Sequence, residues 1–440
     1  MQGDDVACLQ ARLNLLGYEA GEPDGYFGYL TGDAVKQFQA AHGLRQDGVA
    51  GPQVFAALLS KFALPRITHV TGPKETLSMV SQKYQVPVTL VAEANHLPVE
   101  SRPYRSQRLI IPIRSVIAFY RHDHGSISPY LSLERNIKSI TILSPMWVGI
   151  DTTGLVHSHL QDKAVSLAML HEVDVMPAVS IADVGIPEAD AVRAFLSSKK
   201  AREAAVKGLL ELANRLKASG IVLCLTSVAP EDWYRGLSFV SNIAGHLHRV
   251  DKSLLAALPV EGLDELPAAY YEGVGRVADQ VILLTFDQHN KEGKPGPIAS
   301  IGWVREAIRK YMQWVPCWKT ILTVPTYGYD WPELRREAPL PDSKASLVSY
   351  EEISALLSVF KPEVIMDEEA LAPSFRYRSC RVTHRVFFEN AVSVRAKVSL
   401  VHKYHLGGLA LYYLGPEDPL IWSTIREGFK VRARMGRESQ

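Results

Sequence analysis

The sequence predicts a multidomain chain: a small three-helix bundle, a strand–helix–helix–strand module, and a (β/α)8 TIM barrel with an α+β insertion between its seventh and eighth strands. Three observations carry this. Eight β-rich apolar runs alternate with helical stretches from about residue 115 to 431, the pattern of parallel βαβ units. Two Asp-Gly turns, "DGYFG" at 24–28 and "DGVAG" at 47–51, echo each other among helically spaced apolar residues. The 440 residues exceed one ordinary domain, so several cores are expected.

Composition narrows the partners. With 47% hydrophobic and 22% charged residues the chain reads as globular throughout. Lys+Arg (48) nearly balances Asp+Glu (47), so no global field would hold nucleic acid or an anionic membrane, and a neutral or zwitterionic partner fits better. No run approaches the roughly 18 apolar residues of a membrane span. The start, "MQGDDVACLQ", has neither a charged n-region nor an apolar h-region, so no secretory signal is expected within this sequence. Cys8, Cys224, Cys317 and Cys380 lie far apart, without CxxC spacing, and are expected as separate reduced thiols.

In the first block, residues 1–62, Val6, Leu9, Leu13 and Leu16 fall at helical spacing, as do Ala34, Val35, Phe38 and Ala41. The strings "LQARLNLLGY", "DGYFGYLTGDAVKQFQAAHGL" and "DGVAG" resemble the peptidoglycan-binding type 1 domain over this whole block.

The second block, 66–114, reads strand ("RITHVT"), helix ("ETLSMVSQKYQV"), helix ("PVTLVAEANHL"), strand ("QRLIIPI"). Pro87 opens the second helix, where its missing N–H costs nothing. Thr76-Leu77, Ala94-Asn95 and "LIIP" resemble the landmarks of a LysM module, a family that binds N-acetylglucosamine-containing glycans. The resemblance implies glycan contacts at Glu75, Thr76, Leu77 and Asn95. Lys74-Glu75 stands where the family usually has Gly-Asp.

The third block, 115–431, supplies the eight barrel strands: 115–120, 139–150, 173–180, 220–226, 254–260, 280–287, 319–327 and 407–414. A TIM barrel typically needs about 250 residues. The surplus falls at about 329–390, the expected insertion.

The strings "VADQVILLTFDQH", "GPIASIGWVREAI", "ILTVPTYGYDW" and "FFENAVSVRAKVSLVHKYHLGGLALYYLGPEDPLIW" resemble the family 18 glycoside hydrolases. Within them they resemble the LysM-bearing branch associated with bacterial spore germination and cortex lysis. That resemblance implies cleavage of β-linked N-acetylglucosamine by substrate-assisted retention, in which the sugar's acetamido oxygen attacks and one Glu protonates the leaving group. The family keeps that Glu at the end of the fourth strand in a "DxxDxDxE" pattern. Anchored on Gly220 and "VAPED", the pattern falls on Ser219, Val222, Cys224 and Thr226, and all four acids are absent. Residual sugar-subsite residues implied by the resemblance are Trp147, Phe286 (where the family has Tyr), Asp287, Tyr327 and Tyr412 (where it has Trp).

Losing the general acid alone should cost roughly 10² to 10⁴ in rate. The resulting expectation is a wall-glycan-binding pseudo-hydrolase of peptidoglycan or chitin-like chains, without cofactor or metal, laid on a spore coat, cortex or cell wall. The competing expectation is an active N-acetylglucosaminidase using relocated acids, with Glu231 and Asp232 the nearest. Cys224 reads as a buried small hydrophobe against a thiol nucleophile. Asp287 and His289 make only a weak metal pair. Trp303, Trp314, Trp318, Trp331 and Trp422 read as helix-to-barrel packing, and "KVRARMGRES" as a solvated tail. Oligomeric state is left open.

Overall fold

The structure, a computed structural model, describes residues 6–429 apart from 7–8, 11–12, 15–17, 23, 52, 55–56, 58–65, 85–87, 89–90, 93–94, 96, 113, 122–127, 159–161, 264 and 334–343. Leu16, Pro87, Ala94 and the basic tail therefore lie outside the described residues, as does Cys8.

Both Asp-Gly turns form as their glycines require. Gly25 and Gly48 adopt φ of 78° and 70°, a region where a Cβ is penalised. Between them runs the helix Tyr29–Ala41. Its Ala34, Val35 and Phe38 pack with Leu9, Leu13, Ala20 and Val54 in a core separate from the barrel.

Next, β1 (Arg66–Val70) pairs antiparallel with β2 (Arg108–Pro112), with the helix Leu77–Tyr84 between them in sequence. Leu77, Val80, Val91, Ala92, Leu109 and Ile111 form the core of this unit.

The barrel strands follow: β3 (Ser115–Tyr120), β4 (Ile142–Pro145) with β5 (Val148–Ile150), β7 (Asp174–Val175) with β8 (Ala178–Ile181), β9 (Gly220–Cys224), β10 (Ser253–Pro259), β11 (Gln280–Leu284), β12 (Thr320–Pro325) and β18 (Gly408–Tyr412). Parallel pairing runs from β3 through each neighbour to β18, and β18 pairs back onto β3, so the ring is closed. The second and third strands are each broken in two, near Pro145 and Pro177, residues without an N–H for the ladder. A short β6 (Val156–Ser158) pairs antiparallel with β5 and makes a hairpin outside the ring.

Alternation along the strands sorts side chains into two layers. Ile117, Phe119, Val222, Leu255, Ala257, Ile282, Ile321 and Ala410 fill the interior. Their neighbours Ile221, Leu223, Leu254 and Leu283 face the helices. Gly220 is required at the barrel floor, because a Cβ there would lie 2.0 Å from the Ser253 carbonyl oxygen.

After β12 the chain enters a five-stranded antiparallel sheet of order β14-β13-β17-β16-β15, comprising β13 (Gly328–Glu333), β14 (Ser346–Val348), β15 (Ile365–Asp367), β16 (Ala372–Ser379) and β17 (Val382–Phe388). A helix, Tyr350–Phe360, is started by a Ser349–Glu352 capping box. Val348, Ile353, Phe375, Val386 and Phe388 form its core. Through Tyr329 and Trp331, β13 also packs into the barrel interior.

Cys317 is disulfide-bonded, which corrects the expectation of four reduced thiols; Cys224 and Cys380 are free. Spacing in sequence excluded a CxxC pair but carried no information on long-range contact. Trp422 is fully buried, and Trp303 and Trp314 pack on the strand–helix layers. Among the described residues no helix is long and apolar enough to cross a membrane.

Candidate functional site

At the carboxyl ends of the strands, where a barrel of this kind builds its site, the fourth strand presents a graded row. Val222 is fully buried in the interior, Cys224 is half-buried, and Thr226 is exposed at the mouth. None is acidic. Ser219 does not belong to this row: it precedes β9 at the barrel floor, and its hydroxyl donates a 2.6 Å hydrogen bond to Asp174. Burial, with a smaller contribution from the Glu188 charge, pushes the Cys224 thiol up to about 12, so it is a poor nucleophile at neutral pH.

The sixth strand ends in Phe286-Asp287. Asp287 sits at φ 59°, a left-handed conformation that Asp tolerates better than most residues. Its Oδ1 accepts hydrogen bonds from the Tyr327 hydroxyl at 2.6 Å and the Tyr329 hydroxyl at 3.0 Å. Burial raises the Asp287 carboxyl above the ordinary carboxylate range, and the two phenols and Lys291 only partly offset this. Burial together with the Asp287 charge holds both phenols protonated, hence as donors.

Phe286 lies flat on Tyr412, with ring centroids 4.0 Å apart and planes 6° from parallel. Phe119 meets the Tyr412 ring edge-on at 5.7 Å. One face of the Tyr412 platform is thus covered by the chain itself. The structure brings Phe286, Asp287, Tyr327 and Tyr412 together. Trp147 is edge-on to Tyr120 at 5.9 Å and packs against the strand–helix layers.

Sequence reasoning missed three residues here. Glu261, just beyond β10, has its carboxyl raised by burial and then by the Asp287 charge. Glu188, the first residue of the helix Glu188–Ser197, accepts hydrogen bonds from the hydroxyls of Thr226 and Ser227. Tyr329 was legible, since "TYGYDW" alternates and puts Tyr327 and Tyr329 on one face.

Glu231 and Asp232 are engaged elsewhere. Glu231 pairs with Arg193, while the buried Asp232 accepts from Arg235 at 2.5 Å and lies 3.7 Å from Arg193. Among the described residues no group of three or more His, Cys, Asp or Glu could hold a metal.

In the second unit, Glu75 Oε2 accepts from the Gly72 amide at 2.8 Å and lies 2.9 Å from His69 Nε2. Thr76 Oγ1 accepts from the Met79 amide at 3.2 Å, and the Asn95 side chain donates to the Val91 carbonyl at 2.7 Å. Leu77 is fully buried, which corrects the expectation that it touches glycan. An apolar residue after a turn reads the same in sequence whether it packs the core or binds.

In the first unit, a buried glutamine clasps each Asp-Gly turn. Gln10 donates to Asp24 Oδ1 at 2.9 Å and the Tyr26 carbonyl at 3.0 Å and accepts from the Gly25 amide. Gln39 repeats this on Asp47, the Val49 carbonyl and the Gly48 amide. Tyr26, Tyr29, Leu30 and Val49 are left exposed around these turns.

Comparison with known proteins agrees with this architecture. Residues 2–58 match the model described as "Putative peptidoglycan binding domain", and residues 183–417 match "Glycosyl hydrolases family 18". The "Uncharacterized glycosylase YvbX" of Bacillus subtilis (strain 168) is 26% identical over 250 residues, 55% of this chain and 71% of that protein. The "Cortical fragment-lytic enzyme" of the same organism is 25% identical over 245 residues, 54% and 56% of the two chains. The crystal structure of the Bacillus cereus spore cortex-lytic enzyme SleL shares the fold, with a TM-score of 0.66 and 24% identity over 82% of this chain and 86% of that one. With the family model spanning more than half of its residues, the chain belongs to the glycosyl hydrolases of family 18 and carries a peptidoglycan binding domain ahead of the barrel.

Proposed function

We propose that this protein binds N-acetylglucosamine-containing wall glycan and that its barrel holds the glycan without cutting it through the fourth strand. The observation that carries this is the row Val222, Cys224, Thr226, which offers the mouth no proton donor of carboxylic type, while Asp287 and its two phenols remain assembled. A carboxylate acceptor beside an aromatic platform suits an acetamido N–H and a pyranose face. Substrate-assisted cleavage further needs an acid on the leaving oxygen. The test is incubation with purified cortex or vegetative peptidoglycan and mass spectrometry of released muropeptides. New N-acetylglucosamine ends above a heat-killed control would overturn the non-catalytic reading.

One observation favours a second reading, hydrolysis by a relocated acid. Glu261 is raised by burial and then by the Asp287 charge, the direction in which a general acid is shifted. The ion pairs of Glu231 and Asp232 make those two weaker choices. If the chain does release muropeptides, Glu261→Gln should lower the rate at least about tenfold.

The second unit is read as a LysM module that adds a glycan contact, supported by its β1–β2 pair and the core on Leu77 and Ile111. Two binding units on one chain multiply retention on a polymeric wall. Co-sedimentation with sacculi at moderate salt is expected, and failure to pellet would refute it. Placement on a forming spore rests on relatives described as cortex-lytic and is tested by a fluorescent fusion during sporulation.

A further inference from the structure

The fourth-strand row ends on a carboxylate that the strand does not supply. Glu188 enters from the helix that follows the third strand, and one of its oxygens accepts from both Thr226 and Ser227, the latter at 2.9 Å. The Thr226 hydroxyl oxygen is one bond from Cβ, so a carboxylate hydrogen-bonded to it lies in the space a longer acidic side chain at position 226 would reach. Cys224 senses the same carboxylate, whose charge contributes to the upward shift of the thiol. Tyr412 in turn senses both Cys224 and Asp287. Cys224 and Tyr412 pack against the same interior cluster, and the Tyr412 ring lies 6.5 Å from that of Tyr327, which bonds Asp287, so Glu188 on Thr226 and Asp287 border one mouth.

Two features separate Glu188 from the other acids nearby. Glu231 is paired with Arg193, whereas no ion pair involves Glu188 among the described residues. A carboxylate offers about four lone-pair sites. The two hydroxyls occupy one oxygen, and the exposed side chain keeps acceptor capacity turned to solvent at the barrel mouth.

We propose that Glu188 is a ligand-contacting residue of this mouth, accepting hydrogen bonds from hydroxyl or amide N–H groups of an N-acetylhexosamine unit held between the fourth strand and Asp287. This rests on the reading of the barrel as a glycan site. Glu188 acts as acceptor, and no proton transfer to a leaving group is assigned to it.

The test is hydrogen–deuterium exchange mass spectrometry of the full chain titrated with chitotetraose, read at peptides covering 224–228 and 284–288, so that binding by the N-terminal units does not enter. In the wild type both peptides should be protected. Glu188→Ala should shift the midpoint concentration about tenfold to a hundredfold, the span expected for a hydrogen bond to a charged group. Glu188→Gln keeps one acceptor oxygen for Thr226 and Ser227 but loses the charge, and should shift it by severalfold. If both variants keep the wild-type midpoint while Asp287→Ala loses protection, Glu188 only ties two loops together and the proposal falls alone. Absence of protection at either peptide in the wild type would remove the glycan-site reading and this inference with it.

Discussion

The Tyr327 hydroxyl donates a 2.6 Å hydrogen bond to Asp287, and Tyr329 adds a second at 3.0 Å to the same oxygen. A carboxylate held this way is aimed but expensive, since burial still raises its carboxyl above 3.8. The folded state therefore binds the proton more tightly than the unfolded chain, and stability from this group is greatest at low pH and lost as pH rises through the raised folded value. Asp287→Asn keeps an acceptor oxygen, tolerates the left-handed backbone and removes the buried charge. It should gain about 1 kcal/mol at neutral pH. Thermal melts of both proteins from pH 4 to 8 check this: the difference should grow with pH, and a constant difference would contradict it.

Lys397 and Glu389 form a pair in which each side chain is 1% exposed, with Nζ 2.8 Å from Oε2. Ser393 donates a further 2.6 Å hydrogen bond to the carboxylate. Lys397→Met should cost about 3–5 kcal/mol, because the stranded carboxylate would have to be buried alone or take up a proton. Adding Glu389→Gln should recover much of that loss. Denaturant unfolding of the single and double variants measures the difference.

His402 lies 3.0 Å from an Arg114 nitrogen, and burial first, then the Arg114 charge, lower its imidazole to about 4. The unfolded chain takes up a proton near 6.5. Stability contributed here is complete above 6.5 and is lost as pH falls from there toward 4. His402→Gln should flatten the acid-side decline of the melting temperature over that window. An unchanged slope would show that His402 does not set it.

The barrel strands were legible because both faces are buried, so each reads as a mostly apolar run; β3 falls on the 115–120 of the sequence reading. The breaks in the second and third strands were not, because a proline inside an apolar run does not reveal whether its neighbours keep the ladder. Asp287, Phe286, Tyr327 and Tyr412 were named from the family 18 resemblance, and neither strand order nor period alone would have singled them out. Glu188 was not named. It lies 38 residues from Thr226 in sequence, and only the pairing of β8 with β9 brings the following loops together. Leu77 failed differently: its position was right, but an apolar side chain after a turn serves core and ligand equally well until burial is known.

The two glutamine clasps allow a test confined to the first unit. Gln39 is 3% exposed and satisfies the Gly48 amide, the Val49 carbonyl and Asp47 at once, as Gln10 does for the first turn. Each Asp also accepts from the amide two residues on, at 2.8 Å for Tyr26 and 3.0 Å for Val49. The backbone Val49 bond and then Gln39 hold the Asp47 carboxyl below its usual range, so this Asp stays ionised. Gln39→Ala would strand a turn amide and carbonyl and should cost about 2 kcal/mol, confined to this unit because its core is separate from the barrel's. Gln39→Glu is the sharper variant. It replaces a donor by a second carboxylate facing Asp47, so its penalty should exceed that of alanine at pH 7 and shrink when the new side chain is protonated near pH 4. Exchange rates of the Gly48 and Val49 amides read this directly, while the peptides of β9 and β11 should exchange as in the wild type. Equal penalties for Ala and Glu at pH 7 would mean that packing of the side chain, and not its donor group, holds the turn.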